Sequence, residues 1–276
     1  MKDQPTLICT CGSFDRLGVM EVRFFEEASR LGALTVHLWS DATVQRITGR
    51  PPQYPEAERL YLLRAIRYIS QVTLVSPDQE ALLFDALVPT PGVFWAFPPS
   101  AEGEIGAARC RQRGLAQRLF AKSELAIESP ASLEILPSTG RKKILVTGCY
   151  DFFHSGHVRF FEEVSAHGDL YVVVGHDANI RLLKGEGHPL FPQEERRYLA
   201  GCTRYVRQAL VSTGEGWLDA DPEVQRIRPD IYAVNEDGDK GGKREYCTKQ
   251  GIEYMVLRRT PAPGLPRRSS TDLRGF

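Results

Sequence analysis

Apolar positions along this chain follow two alternating patterns. Some form short unbroken runs, and others recur at steps of three and four. In the first half, apolar runs at 7–10, 34–39, 72–75 and 93–97 predict strands, with another near 116–120. Helical spacing predicts helices over 21–31, over 55–69, where Leu60, Leu63 and Arg67 mark the phase, and near 107–113. In the second half, Ile144, Leu145 and Val146 lie between Lys143 and Gly148, as expected of an interior parallel strand. Val158, Phe161 and Val164 step by three through a predicted helix at 155–166. Strands follow at 170–174 and 229–234, and a turn and last strand at 251–257. A helix opens at Pro192, with Glu194 and Glu195 in its first turn. Gly185, Gly187 and Pro189 make 181–189 a loop. Strands alternating with helices imply parallel βαβ units, hence the α/β class with a Rossmann-like sheet.

The pattern occurs twice. Gly12-Ser13-Phe14-Asp15 and Val22-Arg23-Phe24-Phe25-Glu26-Glu27 reappear as Gly148-Cys149-Tyr150-Asp151 and Val158-Arg159-Phe160-Phe161-Glu162-Glu163. Arg67-Tyr68 matches Arg204-Tyr205, and Cys110 and Gly114 match Cys247 and Gly251 after a one-residue change of offset. Shared identities in the same order indicate a tandem duplication. The expectation is two tandem Rossmann-like domains, each a mostly parallel sheet flanked by helices. They would span 1–127 and 143–276. A Pro-, Ser- and Gly-rich linker, 128–142, would be anchored by Leu133, Ile135 and Leu136.

Composition narrows the function classes. A formal net charge of zero gives no global basic field for nucleic acid. No apolar run approaches the ~18 residues of a membrane span, and the N-terminus shows no signal-peptide pattern. The six cysteines are scattered, and Cys9-Thr10-Cys11 is not a zinc clip. Reduced, buried thiols in a cytoplasmic protein are expected.

The chemistry concentrates after the first strand of the second copy. His154 and His157 stand at i and i+3 on a helix start, pointing the same way. Gly156 between them lets a ligand approach the backbone. Free amides and the positive end of the helix dipole complete a phosphate site at a strand's C-terminal end. In the first copy Gly18 and Glu21 take the histidine positions, and Glu21 would repel a triphosphate.

His154-Ser155-Gly156-His157 resembles the HxGH signature of the nucleotidylyltransferases, the cytidylyltransferase-like superfamily. Arg268-Ser269-Ser270-Thr271-Asp272-Leu273-Arg274 is similar to the superfamily's (R/I)SSTxxR element, which opens a helix and binds the triphosphate. The resemblance implies catalytic roles for His154, His157 and the loop lysine Lys184. It implies nucleotide contacts from Gly148, Tyr150, Asp151, Gly156, Arg268, Ser269, Ser270, Thr271 and Arg274. Asp177 lies in a Gly175-His176-Asp177 corner that resembles the family's, and Arg196 is the positional match to a substrate-binding arginine. Asn235-Glu236-Asp237-Gly238 departs from the family's Gly-Asp-Asp-Trp run.

The implied reaction moves a nucleoside monophosphate from an NTP to a small phosphomonoester and releases pyrophosphate. Mg²⁺ would accompany the triphosphate, with Asp151 a candidate for outer-shell contact. CTP is the leading nucleotide, and ATP with a sugar or polyol phosphate is the alternative. A non-catalytic nucleotide sensor or scaffold is the other class. A class I aminoacyl-tRNA synthetase fragment is disfavoured by the neutral charge and the missing lysine-rich signature. Family members often pair as dimers. A fused inactive copy could stand in for the second subunit, and further homodimerisation of the fused pair is left open.

Overall fold

The computed structural model describes residues 7–86, 92–127 and 133–269. Ser270, Thr271 and Arg274 lie outside the described residues. The chain divides into two compact units, Met1–Ile127 and Glu128–Phe276.

The first unit runs β1 (Leu7–Gly12), α1 (Val19–Ser29), β2 (Ala33–Trp39), α2 (Asp41–Thr48), α3 (Glu56–Ala65), β3 (Gln71–Val75), α4 (Pro77–Ala86), β4 (Val93–Phe97), α5 (Ala101–Gln112) and β5 (Gln117–Leu119). Its five strands are all parallel, in the order β3-β2-β1-β4-β5. The second unit runs β6 (Lys143–Gly148), α6 (Ser155–Ser165), β7 (Asp169–Val174), α7 (Asp177–Lys184), α8 (Gln193–Gly201), β8 (Val206–Val211), α9 (Asp221–Ile227), β9 (Ile231–Asn235), α10 (Lys243–Gln250) and β10 (Glu253–Leu257). Its sheet, β8-β7-β6-β9-β10, is parallel and has the same order, with the unit's first strand at the centre. A central first strand makes a switch point, and open α/β sheets bind ligands there, beyond the strands' carboxyl ends.

Several elements differ from the sequence expectation. Short helices α2 and α4 were not anticipated. Ser40 caps α2 by accepting the Thr43 amide, and Gly49 at φ +76° ends it. The expected loop at 181–189 is helical through Lys184, because α7 runs on until Gly185 at φ +86°. The helix expected over 55–69 is shorter: α3 stops at Ala65, and Ile66 is already extended.

The core of the second unit lies on both sheet faces. Ile144, Val146, Phe161, Val164 and Val172 pack on one face, and Leu145, Tyr171, Val173, Val224 and Tyr232 on the other. Leu133 and Ile135 pack against the second cluster, so this stretch is pinned to the unit that follows it. Leu136 contributes through its backbone instead. Its side chain is 43 % exposed, while its carbonyl accepts from Tyr171 and its amide donates to Gln208.

The two units share internal braces. Arg59 in the first unit donates to the carbonyls of Tyr54, Ser13 and Trp39 and pairs with Asp41. Arg196 in the second donates to the carbonyls of Phe191, Cys149 and Gly175 and pairs with Asp177. Asp15 accepts the amides of Gln53 and Tyr54, and Asp151 those of Leu190 and Phe191. The turn after the first strand carries a non-glycine residue at positive φ in both units, Phe14 at 43° and Tyr150 at 54°.

Candidate active site

The site forms where β6 ends and α6 begins. His154 is the N-cap of α6, and its Nδ1 accepts the Gly156 amide at 3.1 Å. That bond fixes the ring against the helix start. His157, one turn on, stacks on it with ring centroids 3.9 Å apart. Tyr150 closes edge-on at 5.1 Å, and Phe153 lies 6.0 Å away. Burial pulls the His157 pKa well below its ordinary 6.5, and the nearby His154, Arg259 and Lys184 add to the effect. His157 is therefore a neutral hydrogen-bonding group at physiological pH. The positive charge of the site comes from other residues.

The glycine of the motif has a local reason. A Cβ on Gly156 would stand 2.9 Å from His154 Cε1 and 3.4 Å from the Arg268 carbonyl. Gly148 is constrained likewise, since its Cβ would lie 2.8 Å from the Tyr150 ring. Any side chain at either position would displace the rings that shape the site.

An open cleft of about 160 Å³ lies over the C-terminal ends of β6 and β9. Gly148, Tyr150, Gly156 and His157 line it from one side, and Asn235, Asp237, Lys243 and Arg259 from the other. A neighbouring groove continues past Gly156 to Arg259, Arg267 and Arg268. Arg259 joins the two. It pairs with Asp237 and donates to the Arg268 carbonyl at 2.8 Å. Lys184, at the exposed end of α7, reaches the Cys149 thiol and acts electrostatically on His157.

The structure thus brings together Gly148, Tyr150, His154, Gly156, His157, Lys184 and Arg268, with Ser269 adjoining in sequence. It places three expected residues elsewhere. Arg196 is fully buried, and its guanidinium is spent on three main-chain carbonyls and Asp177. Neither Arg196 nor its partner Asp177 lines the cleft. Because Arg59 and Asp41 make the same contacts in the first unit, this pair is a brace between strand ends rather than a substrate clamp. Asp151 is likewise occupied: its carboxylate accepts the amides of Leu190 and Phe191 at 2.8–3.0 Å. Among the described residues no three His, Cys, Asp or Glu side chains gather as a metal site.

Arg259 and Asn235 were absent from the expected site, whereas the basic, glycine-bearing loop 240–244, which holds Lys243, reads in the sequence equally as a holder of an anionic substrate or a solvated loop. The signal for Arg259 was present as the basic pair Arg258-Arg259 after the last strand.

The first unit shows how the same position is closed. Glu21 reaches back to the Gly18 amide at 3.0 Å, filling the start of α1 with a carboxylate. Glu102 accepts both the amide and the hydroxyl of Ser13 at the end of β1. Two protein carboxylates thus sit where an anionic ligand would need donors.

The His154-Ser155-Gly156-His157 helix start thus stands at the switch point of a parallel α/β sheet. The cytidylyltransferase-like family model matches residues 145–275, confined to the second unit. An FAD synthase of Ferroglobus placidus is 35% identical over 120 residues, covering 42% of this chain and 75% of that protein. One from Thermococcus kodakarensis is 37% identical over 123 residues, covering 43% of this chain and 80% of that protein. The bifunctional protein HldE of Wolinella succinogenes is 31% identical over 150 residues, covering 51% of this chain but 31% of that protein. The chain belongs to the cytidylyltransferase-like family and is a nucleotidyltransferase. Among the described residues, no helix is long and apolar enough to cross a membrane.

Proposed function

We propose that the second unit transfers an adenylyl group from ATP to the phosphate of a small phosphomonoester, with FMN the first acceptor to test. The observation that carries this is the Gly156–His157 helix start facing Arg259 and Lys243 across one cleft. A non-bridging oxygen of the acceptor phosphate attacks the α-phosphorus of ATP. A new P–O–P bond forms, the α–β bridge breaks, and pyrophosphate leaves. The nucleophile is already anionic near neutral pH, because its second pKa is about 6, so no general base is required. The task is to hold two polyanions together and stabilise charge as it shifts to the leaving group.

His157 offers a neutral imidazole edge to the triphosphate, and His154 fixes the helix start beside it. Arg259, Lys184, Lys243 and Arg268 supply the cations. Asp237 holds Arg259 in place until phosphate competes for it. Ser270, Thr271 and Arg274 are assigned to the triphosphate by their motif alone. Mg²⁺ is proposed to accompany the nucleotide's phosphates. ATP displaces CTP as the leading nucleotide because the FAD synthases match over at least 75% of their own length. The Asn235-Glu236-Asp237-Gly238 turn, which departs from the cytidylyltransferase run, points the same way. The HldE match keeps a sugar phosphate as the second acceptor class. The first unit is proposed as a degenerate copy, supported by the shared strand order and braces. Six cysteines without a disulfide among the described residues agree with a reducing, cytoplasmic setting.

The test is pyrophosphate release with each of the four NTPs and Mg²⁺ against FMN and a panel of sugar and polyol phosphates. Release with ATP and one acceptor, lowered about 100- to 1,000-fold in His157→Ala, is the expected result. Release with CTP alone would overturn the base assignment. Nucleotide binding without release from any acceptor would make the protein a sensor.

A further inference from the structure

Trp217 is the one tryptophan among the three that the fold leaves open. Trp39 and Trp95 are 1 % exposed, whereas Trp217 is 52 % exposed. An indole left in water on a turn needs a reason, and this one is held in a fixed pose. Gly216 before it sits at φ +75°. Its amide donates to Asn179 Oδ1 at 2.8 Å, and its carbonyl accepts from Asn179 Nδ2 at 3.0 Å. Asn179 itself is 2 % exposed on α7, so the turn is bolted to a rigid helix. The indole rests on the Gly241–Gly242 turn. A Cβ on Gly242 would lie 3.1 Å from the ring and one on Gly241 4.0 Å, so glycine at both places lets the ring lie down flat.

The surroundings tie this platform to the reaction. Gly242 is followed by Lys243, which opens α10 and lines the cleft. Burial lowers the Lys243 pKa, which Asp219 and Asp239 oppose. Leu183, 53 % exposed, lies four residues after Asn179 on the same face of α7. Lys184 follows it and acts on His157. The exposed indole therefore lies on a turn that leads directly into Lys243 and the phosphate cleft. The arrangement suits a flat aromatic ring carrying a phosphate arm: the ring stacks on the indole while the arm reaches the cations.

We infer that Trp217 is the stacking platform for a planar heteroaromatic acceptor, a flavin mononucleotide, and thereby sets acceptor specificity. The inference rests on the adenylyl-transfer reading above, and its test separates the two. FMN fluorescence is titrated with wild-type protein, Trp217→Ala and Trp217→Phe, and steady-state KM values for FMN and ATP are measured on the same samples. Wild type should quench FMN, and Trp217→Phe should lose the quenching but keep a near-wild-type FMN KM. Trp217→Ala should raise the FMN KM by about 10-fold or more, the scale of one lost aromatic stack, with the ATP KM unchanged. Because the ring is half exposed, its removal leaves no large cavity, and an unchanged ATP KM certifies the fold. Equal FMN affinity in Trp217→Ala and wild type would overturn the platform. So would turnover of a sugar phosphate with no FMN binding, although nucleotidyl transfer would then stand. A raised ATP KM with an unchanged FMN KM would reassign Trp217 to the adenine. Tryptophan-dependent FMN quenching without pyrophosphate release would keep the platform and overturn the transfer reaction.

Discussion

His157 is buried, neutral and stacked on His154, so its value to a transferring phosphoryl is a directed hydrogen bond, not a charge. His157→Ala should lower kcat by about 100- to 1,000-fold, as removal of one preorganised donor does elsewhere. Circular dichroism should remain that of wild type. Because its pKa lies well below 6.5, kcat should not track an imidazole titration as pH rises from 6.5 to 8. A second histidine makes a stability prediction. Burial pulls the His37 pKa down to about 4 from 6.5. Its Nε2 is buried without a hydrogen-bond partner among the described residues. The folded state keeps it neutral, while the unfolded chain binds a proton below about pH 6.5. Its contribution is therefore complete above pH 6.5 and lost as pH falls towards about 4. His37→Phe should flatten the acid limb of the first unit's stability, measured by urea titration across that window. Single residues also mark the limit of motif reading. Arg196 matched a substrate-binding position in sequence, yet its burial and three carbonyl partners are properties of the folded chain.

At the scale of elements, the two arginine braces hold strand ends and loops in register beneath the site. Arg196 ties the end of β6 to the end of β7 and to the loop before α8. Removing it leaves buried carbonyls and Asp177 without a donor, and losing one member of a buried charged set costs about 3–5 kcal/mol. Arg196→Ala should therefore lower the melting temperature of the second unit and reduce activity through misplacement of Cys149 and Asp177. Arg196→Lys should rescue little, because a single ammonium cannot span the same carbonyls. Arg59→Ala should destabilise the first unit by a similar amount and leave catalysis intact. Scanning calorimetry paired with pyrophosphate release distinguishes these outcomes. Retained stability in both variants would contradict the brace assignment. The helix starts show the same logic: α1 closes its own N-terminus with Glu21, whereas α6 caps with His154 and leaves the motif open to the cleft.

Across the whole molecule, the two units differ at the same helix start: the second leaves His157 in a cleft, and the first fills the position with carboxylates. Ligand binding stabilises only the state that binds, by about 2.7 kcal/mol at a free concentration 100 times Kd. ATP with Mg²⁺ should therefore raise the unfolding transition of the second unit and leave that of the first unmoved in a calorimetric scan. A shift in the first unit's transition would show that it retains a ligand of its own. The formal net charge of zero means that the attraction for polyanions is local to the cleft, carried by Arg259, Lys184, Lys243 and Arg268. Added salt should therefore weaken ATP binding only to the extent that these few charges are exposed.

Local patterns were enough to establish much of this protein. Solid apolar runs alternating with helical spacing required parallel βαβ units, and repeated identities implied that the pattern occurs twice. The HxGH run marked a phosphate site because its parts are adjacent in the chain: two imidazoles, a glycine and a helix start. Other features required the folded chain, because they join residues far apart in sequence. Arg259 meets His157 and Asp237 only once β10 lies beside β9. Arg196 and Asp151 turned from ligand contacts into braces because carbonyls and amides from other loops converge on them. Trp217 became a platform only when the turn after β8 came to rest on glycines that precede α10. A one-dimensional pattern specifies which face of an element is apolar, but which charged groups are satisfied and which remain for a ligand is decided by packing.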